Sequence, residues 1–447
     1  MSTIANQEPA LLSLFESAFS TTATFVRAKL LSVAAILTTG RRTVANLLRT
    51  VAGLTEGDAS SYHRVLSLAQ WSGLTLAAIL TRFVIRHFWP QGRIRLVGDD
   101  TVTEHPGRKV YGKARHRDPV RSSHSYTAWR WGHKWVVLAI LVQFPFATRP
   151  WALPVLVALY RSPQNDQERG RPHKTPAQLL HVLVRLVRRW FPDREFLIAG
   201  DAGYGSHETA SLARSQAGKV HVVSKFPAHA NLYEPPPPYT GHGRPRVKGK
   251  KLPSPREVVA EAQPTRLNVA WYGGGRRDVD IVSGTGHWYK AGQGLVEVRW
   301  VYVQDRTGTH REEYFYSTDV TLTPQAIIEA YTGRWNLETT FEEARPYLGL
   351  ESTRGRCART VLRAEPCLLG LYSVVALLYW LLPPEDQEQG AVEWEGKQSV
   401  TFSDAITAVR RWLWTHWVFP RAGYAEAFAK VPEAFRQFLL YVLAPVA

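Results

Sequence analysis

Cysteine and methionine are scarce in this 447-residue sequence, which contains Cys357, Cys367 and a single methionine. The two cysteines have no zinc-ligand spacing, and they are too few for a disulfide framework. His116, His124 and His133 are irregularly spaced and lack cysteine partners, so we do not expect them to bind zinc. A cytoplasmic protein fits this composition.

Long apolar segments are also missing. The longest apolar run, residues 367–382, is shorter than the ~18–20 residues that a membrane span needs, and polar residues flank it. The first residues include acids and no basic stretch before an apolar core, so a signal peptide is not expected. No basic amphipathic helix with a broad apolar face stands out. We expect a soluble protein that does not bind membranes.

Acidic residues are outnumbered. Against 55 lysines and arginines stand 38 aspartates and glutamates, which gives a formal net charge of +17 and a pI of about 9.9. Such an excess points to a polyanionic partner, although a solvated basic surface remains the alternative. Hydrophobic residues make up 45% of the chain, enough for a buried core. The length predicts two or three domains at ~150 residues each.

Residues 1–92 carry apolar positions at three- and four-residue intervals, a pattern that predicts helices. Short segments separated by a tight break, with Arg41, Arg42, His63 and Arg64 expected on the surface, suggest a helix-turn-helix-like unit that binds DNA. An ordinary helical bundle fits the same pattern. This region is the expected N-terminal DNA-binding region.

From residue 93 onward, short apolar runs alternate with amphipathic segments, which predicts an α/β domain with a mixed sheet. Residues 227–258 interrupt this pattern, because they are rich in proline and glycine and strongly basic. Residues 265–320 are β-rich, and three apolar helices follow near 360–382, 402–418 and 430–444. Contact with phosphates or a solvated linker would each explain the basic cluster of Arg244, Arg246, Lys248, Lys250 and Lys251.

Acidic residues follow two of the predicted strands. Asp99 and Asp100 close the segment "RIRLVGDDT", and Asp201 closes "FLIAGD". Sites in open α/β sheets lie at the carboxyl ends of strands. Carboxylates gathered there repel one another unless cations lie among them, and hard Mg²⁺ or Mn²⁺ ions prefer such oxygens. Together with a glutamate from a following helix, these aspartates could bind two ions for phosphodiester chemistry.

That glutamate is Glu338, in the segment "YTGRWNLETTFEEAR" at residues 331–345. At about 100° per residue, Tyr331, Arg334, Glu338 and Arg345 fall within an arc of about 60° on one helix face. Pro346 predicts that the helix ends near Arg345. Glu342, one turn further on, is the alternative carboxylate. Trp335 is expected in the core, because an aromatic residue on a helix is usually buried.

These motifs resemble those of bacterial insertion-sequence transposases of the DDE superfamily. The helix looks like their tyrosine–arginine–glutamate–lysine signature, with Arg345 in the lysine position, and "GDDT" and "AGDAGYGS" resemble their two aspartate motifs. We prefer Asp99 as the first metal ligand because the family motif reads Asp-x-Thr or Asp-x-Ser, and Asp100 remains a competitor.

The resemblance implies an RNase H-like mixed sheet catalytic domain at 93–375, with a β-rich insertion at about 227–320 and a helical C-terminal region at 376–447. It implies a cytoplasmic, nucleoid-associated DNA transposase that uses two Mg²⁺ or Mn²⁺ ions held by Asp99, Asp201 and Glu338. Tyr331 and Arg334 would bind phosphate, and a homodimer would bind terminal inverted repeats and target DNA. A catalytically silent DNA-binding relative, or an RNase H-like nuclease without strand transfer, are the alternatives.

Overall fold

The structure is a computed structural model that describes residues 10–445 except 119–121, 123, 124, 217, 242, 393, 394, 396 and 398. His124, one of the histidines considered above, lies outside the described residues. Helices come first along the chain, a mixed sheet follows, and further helices complete the fold. The N-terminal helices are α1 (Ala10–Ser13), α2 (Thr22–Leu37), α3 (Val44–Thr50), α4 (Ala59–Ser67) and α5 (Gly73–Phe88).

The N-terminal helices share one hydrophobic core with the sheet and the C-terminal helices. Arg41, His63 and Arg64 are exposed, as expected. Arg42 is buried, so its predicted exposure is wrong. Its guanidinium donates to the carbonyl oxygen of Ala35 in the last turn of α2 and to that of Tyr347. The last carbonyls of a helix have no partner within it, and Arg42 supplies one.

The first part of the sheet contains β1 (Ile94–Glu104), β2 (Ala114–Arg117), β3 (Trp129–Val142), β4 (Trp151–Tyr160), β5 (Phe196–Gly200) and β6 (Val220–Lys225). Strands β4, β3 and β1 pair antiparallel, and β1, β5 and β6 pair parallel, in the spatial order β4-β3-β1-β5-β6. This order is the RNase H-like arrangement that the resemblance implies. From Trp135 onward β3 is apolar, as β4 is almost throughout, because helices cover both faces of this part of the sheet.

Residues beyond β6 extend the same sheet. After β7 (Leu232–Tyr233), β8 (Thr265–Ala270), β9 (Arg276–Lys290) and β10 (Gly294–Asp305), the chain returns as β11 (Glu313–Ser317), which pairs antiparallel with β6. The described strands thus form one mixed sheet of 11 strands. The predicted β-rich segment is present, and it continues the main sheet edge to edge.

Helices cover both faces of the sheet. The described helices of this part are α6 (Pro163–Gln167), α7 (Pro176–Trp190), α8 (His207–Ser215), α9 (Pro255–Glu261), α10 (Pro324–Gly333) and α11 (Trp335–Leu348). Leu180 of α7 lies so close to Gly98 of β1 that a Cβ at Gly98 would come within 2.6 Å of its methyl groups. The next residue, Asp99, points to the opposite face, where α11 packs.

The C-terminal helices pack against β4 and the N-terminal helices. They are α12 (Ala358–Leu381), α13 (Pro384–Glu388), α14 (Phe402–Leu413), α15 (Phe419–Arg421), α16 (Ala425–Lys430) and α17 (Glu433–Leu443). By length and composition α12 could cross a membrane, but 67% of its most apolar window is buried inside the fold, as in a core helix. One helix therefore spans the domain boundary expected at residue 375. The division into domains stays a prediction.

Candidate active site

Two aspartates lie side by side where the parallel strands β1 and β5 stop pairing. Gly98 of β1 is in register with Gly200 of β5, so the next residues, Asp99 and Asp201, occupy neighbouring positions. Adjacent strands are about 4.8 Å apart, which brings both carboxylates to one edge of the parallel pair. The two aspartates are 102 positions apart in the sequence, and the sheet brings them together.

Asp99 and Asp100 point to opposite faces of β1. Asp99 faces α11, whereas Asp100 accepts hydrogen bonds from the Tyr204 hydroxyl at 3.2 Å and the Lys134 ammonium at 2.9 Å. Neither Tyr204 nor Lys134 stood out in the sequence. Tyr204 follows Asp201 in a short 3₁₀ turn, and only the tertiary fold turns its hydroxyl toward Asp100. Asp99 is therefore the member of the pair that shares a face with Glu338.

The segment that carries Tyr331, Arg334 and Glu338 forms two consecutive helices, α10 and α11. Thr323 caps α10 and Pro324 occupies its first turn, as the sequence predicts. Arg334 lies between α10 and α11 with helical dihedral angles (φ −56°, ψ −34°). Its N–H donates to the Tyr331 carbonyl at 3.1 Å and its carbonyl accepts from Leu337 at 2.9 Å, which tightens this turn. The turn presents the Arg334 side chain to the sheet.

Arg334 bridges two of the predicted ligands. One of its terminal nitrogens, Nη1, donates both to Asp99 Oδ2 and to Glu338 Oε1, the latter at 2.7 Å. The two acceptor oxygens can therefore be no further apart than two hydrogen-bond lengths. The Arg334 side chain is buried, and a planar guanidinium with carboxylates on one nitrogen is a strong charge-assisted contact. Glu338 is thus fixed opposite Asp99.

The site has more negative charge than its cations neutralise. Burial raises the pKa of Asp99 to about 8, against the opposing effect of Arg334, and the nearby Asp201 and Asp100 carboxylates add to the rise. Burial also raises the pKa of Asp201, again opposed by Arg334 and reinforced by Asp100. Additional positive charge near these carboxylates would favour their charged forms.

Asp201 is held by its own turn. It caps the 3₁₀ turn Ala202–Tyr204, because its Oδ1 accepts the Gly203 N–H at 2.8 Å. The Ser224 hydroxyl on β6 donates to the Asp201 carbonyl oxygen at 2.8 Å. These bonds fix the backbone at Asp201 and use one of its two carboxylate oxygens, Oδ1. No group of three or more His, Cys, Asp or Glu side chains within the described residues is arranged to hold a metal ion.

Tyr331 and Arg345 lie at the two ends of the site. The Tyr331 side chain is 2% exposed, its ring stacks on Phe315 at 4.2 Å between centroids, and the Arg334 guanidinium lies 5.7 Å from it. Arg345 Nη2 donates to the Thr101 hydroxyl at 2.8 Å, two residues beyond Asp99. Arg345 thus contacts β1 and Tyr331 packs on β11, with Arg334 between them along the helices.

Two finer expectations about this helix need correction. Trp335 is 41% exposed and meets Tyr272 edge-on at 5.7 Å, so its predicted core position is wrong. Pro346 lies inside α11, which continues to Leu348 and ends at the left-handed Gly349 (φ 64°). The alternative carboxylate, Glu342, is exposed, whereas Glu338 accepts a hydrogen bond from Arg334. Trp335 follows the tight turn at Arg334, which rotates it from the core-facing side.

The basic cluster lies on the loop between β7 and α9. Lys248 donates to the Tyr233 hydroxyl at 3.0 Å and stacks over the Tyr233 and Tyr289 rings at 4.1 and 4.2 Å. This packing anchors the loop. The other four cations of the predicted cluster are exposed: Arg244, Arg246, Lys250 and Lys251.

The sequence matches one family model over residues 14–278, more than half of the chain, and that family is described as a DDE superfamily endonuclease. The match includes both aspartate motifs and ends before α10. No curated protein matches the sequence. A solved structure similar to the chain is a cryo-EM piggyBac transposase synaptic complex with hairpin DNA, at 11% identity and a TM-score of 0.44, covering 100% of this chain and 87% of that chain. A similarity this low supports no inference about function.

Proposed function

This chain belongs to the DDE superfamily endonucleases, and from that membership we propose that it is a DNA transposase of the insertion-sequence type. It cuts the ends of its element and joins their 3′-hydroxyls to target DNA. One observation carries the proposal: Asp99 and Asp201 adjoin on parallel strands, and Arg334 ties Glu338 to Asp99. Glu338 lies outside the family match, so its position is an independent observation.

The carboxylates suit a divalent cation in their chemistry. They supply only oxygen ligands, which Mg²⁺ and Mn²⁺ prefer, and because burial raises the pKa values of Asp99 and Asp201, a bound cation would favour their charged forms. Arg334 now bridges Asp99 and Glu338, so two bound ions require its guanidinium to move aside. Asp99, Asp201 and Glu338 would hold the ions, which supply an activated water or 3′-hydroxyl and stabilise the leaving oxygen.

The cations of the site would then position DNA. Arg334, once released from the carboxylates, is placed to bind a phosphate beside the scissile bond, and Arg345 a second phosphate along the strand. Tyr331 is buried, so in this proposal it orients the Arg334 guanidinium against its ring. The exposed cations on the β7–α9 loop contact phosphates of the flanking duplex.

The partners follow from the reaction. The N-terminal helices would bind terminal inverted repeats, and a homodimer would bring two element ends to the target DNA. The protein would act in the cytoplasm of a bacterial-type cell, in association with the nucleoid. Its net charge of +17 favours long-range attraction to DNA in any such compartment.

The test is cleavage and joining of labelled DNA carrying the sequences that flank the gene, with Mg²⁺, by the native protein and by Glu338→Gln. We expect the native protein to cut and join, and Glu338→Gln to bind the same DNA without cutting. Asp99→Asn should match Glu338→Gln, and Asp100→Asn should retain more activity because Asp100 faces away from Glu338.

Each other outcome identifies an alternative. Cutting without joining would make the protein a nuclease. Binding without cutting by both proteins would make it a silent DNA-binding relative. Equal loss of activity in Asp99→Asn and Asp100→Asn would contradict the preference for Asp99.

A further inference from the structure

Two tryptophans lie exposed on a strand whose other residues are mostly buried. Strand β3 begins "WRWGHKW", and Trp129 and Trp131 are 48% and 60% exposed, whereas Trp135 is fully buried. Residues at alternate positions share a face of a strand, so the two indoles lie on the same face. A pair of exposed indoles is unusual enough to mark an interaction surface.

Cations flank both indoles. On the neighbouring strand β2, Arg115 pairs across from Trp131 and Arg117 from Trp129, and both arginines are exposed. The Arg115 guanidinium lies 4.7 Å over the Trp129 ring, and the Lys113 ammonium lies 5.9 Å from the Trp131 ring. We call the surface formed by Arg115, Arg117, Trp129 and Trp131 the tryptophan face.

This composition selects among partners. A purely apolar partner would strip water from two arginines without neutralising them, which is costly. A fully paired duplex offers phosphates to the arginines, but its bases are stacked internally and give the indoles nothing to contact. Unpaired nucleotides offer both phosphates and base faces, and base stacking on aromatic rings is tolerant of sequence.

The tryptophan face continues the strand that borders the candidate active site. Val137 of β3 is in register with Asp99, and Trp131 lies six residues earlier on the same face of the strand. At about 3.3 Å per residue this separation is about 20 Å. One DNA strand advances about 3.4 Å per nucleotide, so the distance corresponds to about six nucleotides.

We propose that the tryptophan face binds unpaired nucleotides of a DNA strand, about six nucleotides from the phosphate that lies at Asp99, Asp201 and Glu338. This inference rests on the proposed function, because it assumes that DNA occupies the carboxylate site. It adds a second contact that favours DNA ends whose strands have separated.

The experiment compares two labelled DNA ends by fluorescence anisotropy in the absence of divalent metal, so that no cleavage occurs. One end is fully paired and the other carries eight unpaired nucleotides. The test variant is Trp129→Ala with Trp131→Ala, and the conservative variant replaces both with phenylalanine. The control is Phe435→Ala with Phe438→Ala, which removes two exposed aromatic side chains of α17.

We expect the alanine pair to weaken binding of the unpaired end by about tenfold or more, while binding of the paired end changes by less than about twofold. The phenylalanine pair should retain most of the affinity, and the α17 control should resemble the native protein. Far-UV circular dichroism and the melting temperature should not change, since both indoles are exposed. Iodouracil placed along the unpaired strand should cross-link most strongly to the peptide that contains Trp131, about six nucleotides from the cut phosphate.

Other results would overturn the inference. If the alanine pair weakens binding of both DNA ends equally, or of neither, the tryptophan face does not bind unpaired nucleotides. The transposase proposal then still stands as long as the native protein cuts and joins DNA. If the native protein binds neither end, both proposals fail together. A strongest cross-link far from β3 would also contradict the placement.

Discussion

Arg334 determines the electrostatic state of the site at the scale of single residues. It is the cation bonded to Asp99 and to Glu338, and its own pKa is raised because these carboxylates outweigh the effect of burial. Removing one partner of a buried ion pair leaves the other charge without compensation. The carboxylates therefore depend on Arg334 until another cation replaces it.

Replacement of Arg334 by glutamine tests this dependence. Without divalent metal, we expect Arg334→Gln to lower the free energy of unfolding by about 3–5 kcal/mol, because Asp99 and Glu338 lose their counter-charge. Added Mg²⁺ or Mn²⁺ should then raise the melting temperature of the variant more than that of the native protein. Differential scanning fluorimetry with and without metal measures both effects.

The control is Arg345→Gln, which removes an arginine from the same helix that bonds to Thr101 and Glu351 but to none of the three carboxylates. Its stability should fall less and should respond to metal as the native protein does. An equal response of all three proteins to metal would show that Arg334 and the metal do not compete.

Spacing along the sequence predicts one contact of Arg334 and not the other. Arg334 and Glu338 are four residues apart, and the sequence alone indicates that they share a face. The bond from Arg334 to Asp99 joins residues 235 positions apart, and no local pattern reports it. The burial of Arg42 was missed for the same reason, since it depends on a hydrogen bond to the distant Tyr347.

At the scale of elements, Glu365 ties together a helix, two strands and a loop. Its carboxylate on α12 accepts from the Thr103 hydroxyl on β1 at 2.6 Å, from the Trp135 indole N–H on β3 at 2.5 Å and from the Thr353 hydroxyl at 3.1 Å. All three of these donors are neutral, and burial raises the pKa of the Glu365 carboxyl group. Ionisation of this carboxyl group therefore opposes folding.

The sign of the pH effect follows. Because the folded-state pKa of Glu365 is raised, its stabilising contribution is full below the unfolded pKa of about 4.3 and is lost as the pH rises through the folded value. A glutamine at this position can accept the Thr103 and Trp135 bonds with its oxygen and never ionises. We expect Glu365→Gln to be more stable than the native protein at pH 8, with a smaller difference at pH 5.

Urea unfolding at the two pH values measures this difference. Glu365→Ala serves as the comparison, because it removes the buried acceptor that the Trp135 and Thr103 donors share and should cost about 1–3 kcal/mol at either pH. If Glu365→Gln loses stability at pH 8, the carboxylate charge contributes favourably and the interpretation is wrong.

Element types were largely predictable, and their pairing was not. The strand before Asp99 and the three C-terminal helices follow from the periodicity of their apolar residues. Strand β4 was missed, since a buried apolar run is ambiguous between strand and helix. That β11 returns to pair with β6 depends on register with a strand about 90 residues earlier, which no local signal encodes.

At the scale of the whole molecule, the charge of +17 predicts strongly salt-dependent binding of DNA. We expect Arg244→Gln with Arg246→Gln to weaken binding of all duplexes alike and to lower the slope of log Kd against log salt concentration by up to about 2. Anisotropy titrations at salt concentrations from about 50 to about 200 mM measure this slope.

The matched control is Arg185→Gln with Arg189→Gln, which removes the same charge from two exposed positions of α7. If both variants change the slope equally, the effect arises from net charge alone, and the β7–α9 loop makes no specific phosphate contact.

The return of β11 to β6 also has a consequence for synthesis on the ribosome. The two aspartates are translated early, but Arg334 and Glu338 follow Asp201 by more than 130 residues and reach the sheet only after β11 has joined it. At 5–20 residues per second this interval lasts roughly 7–27 s. A nascent or prematurely terminated chain would thus present the aspartates without the glutamate, and the predicted set of carboxylates is incomplete until residue 338 of 447 has been added.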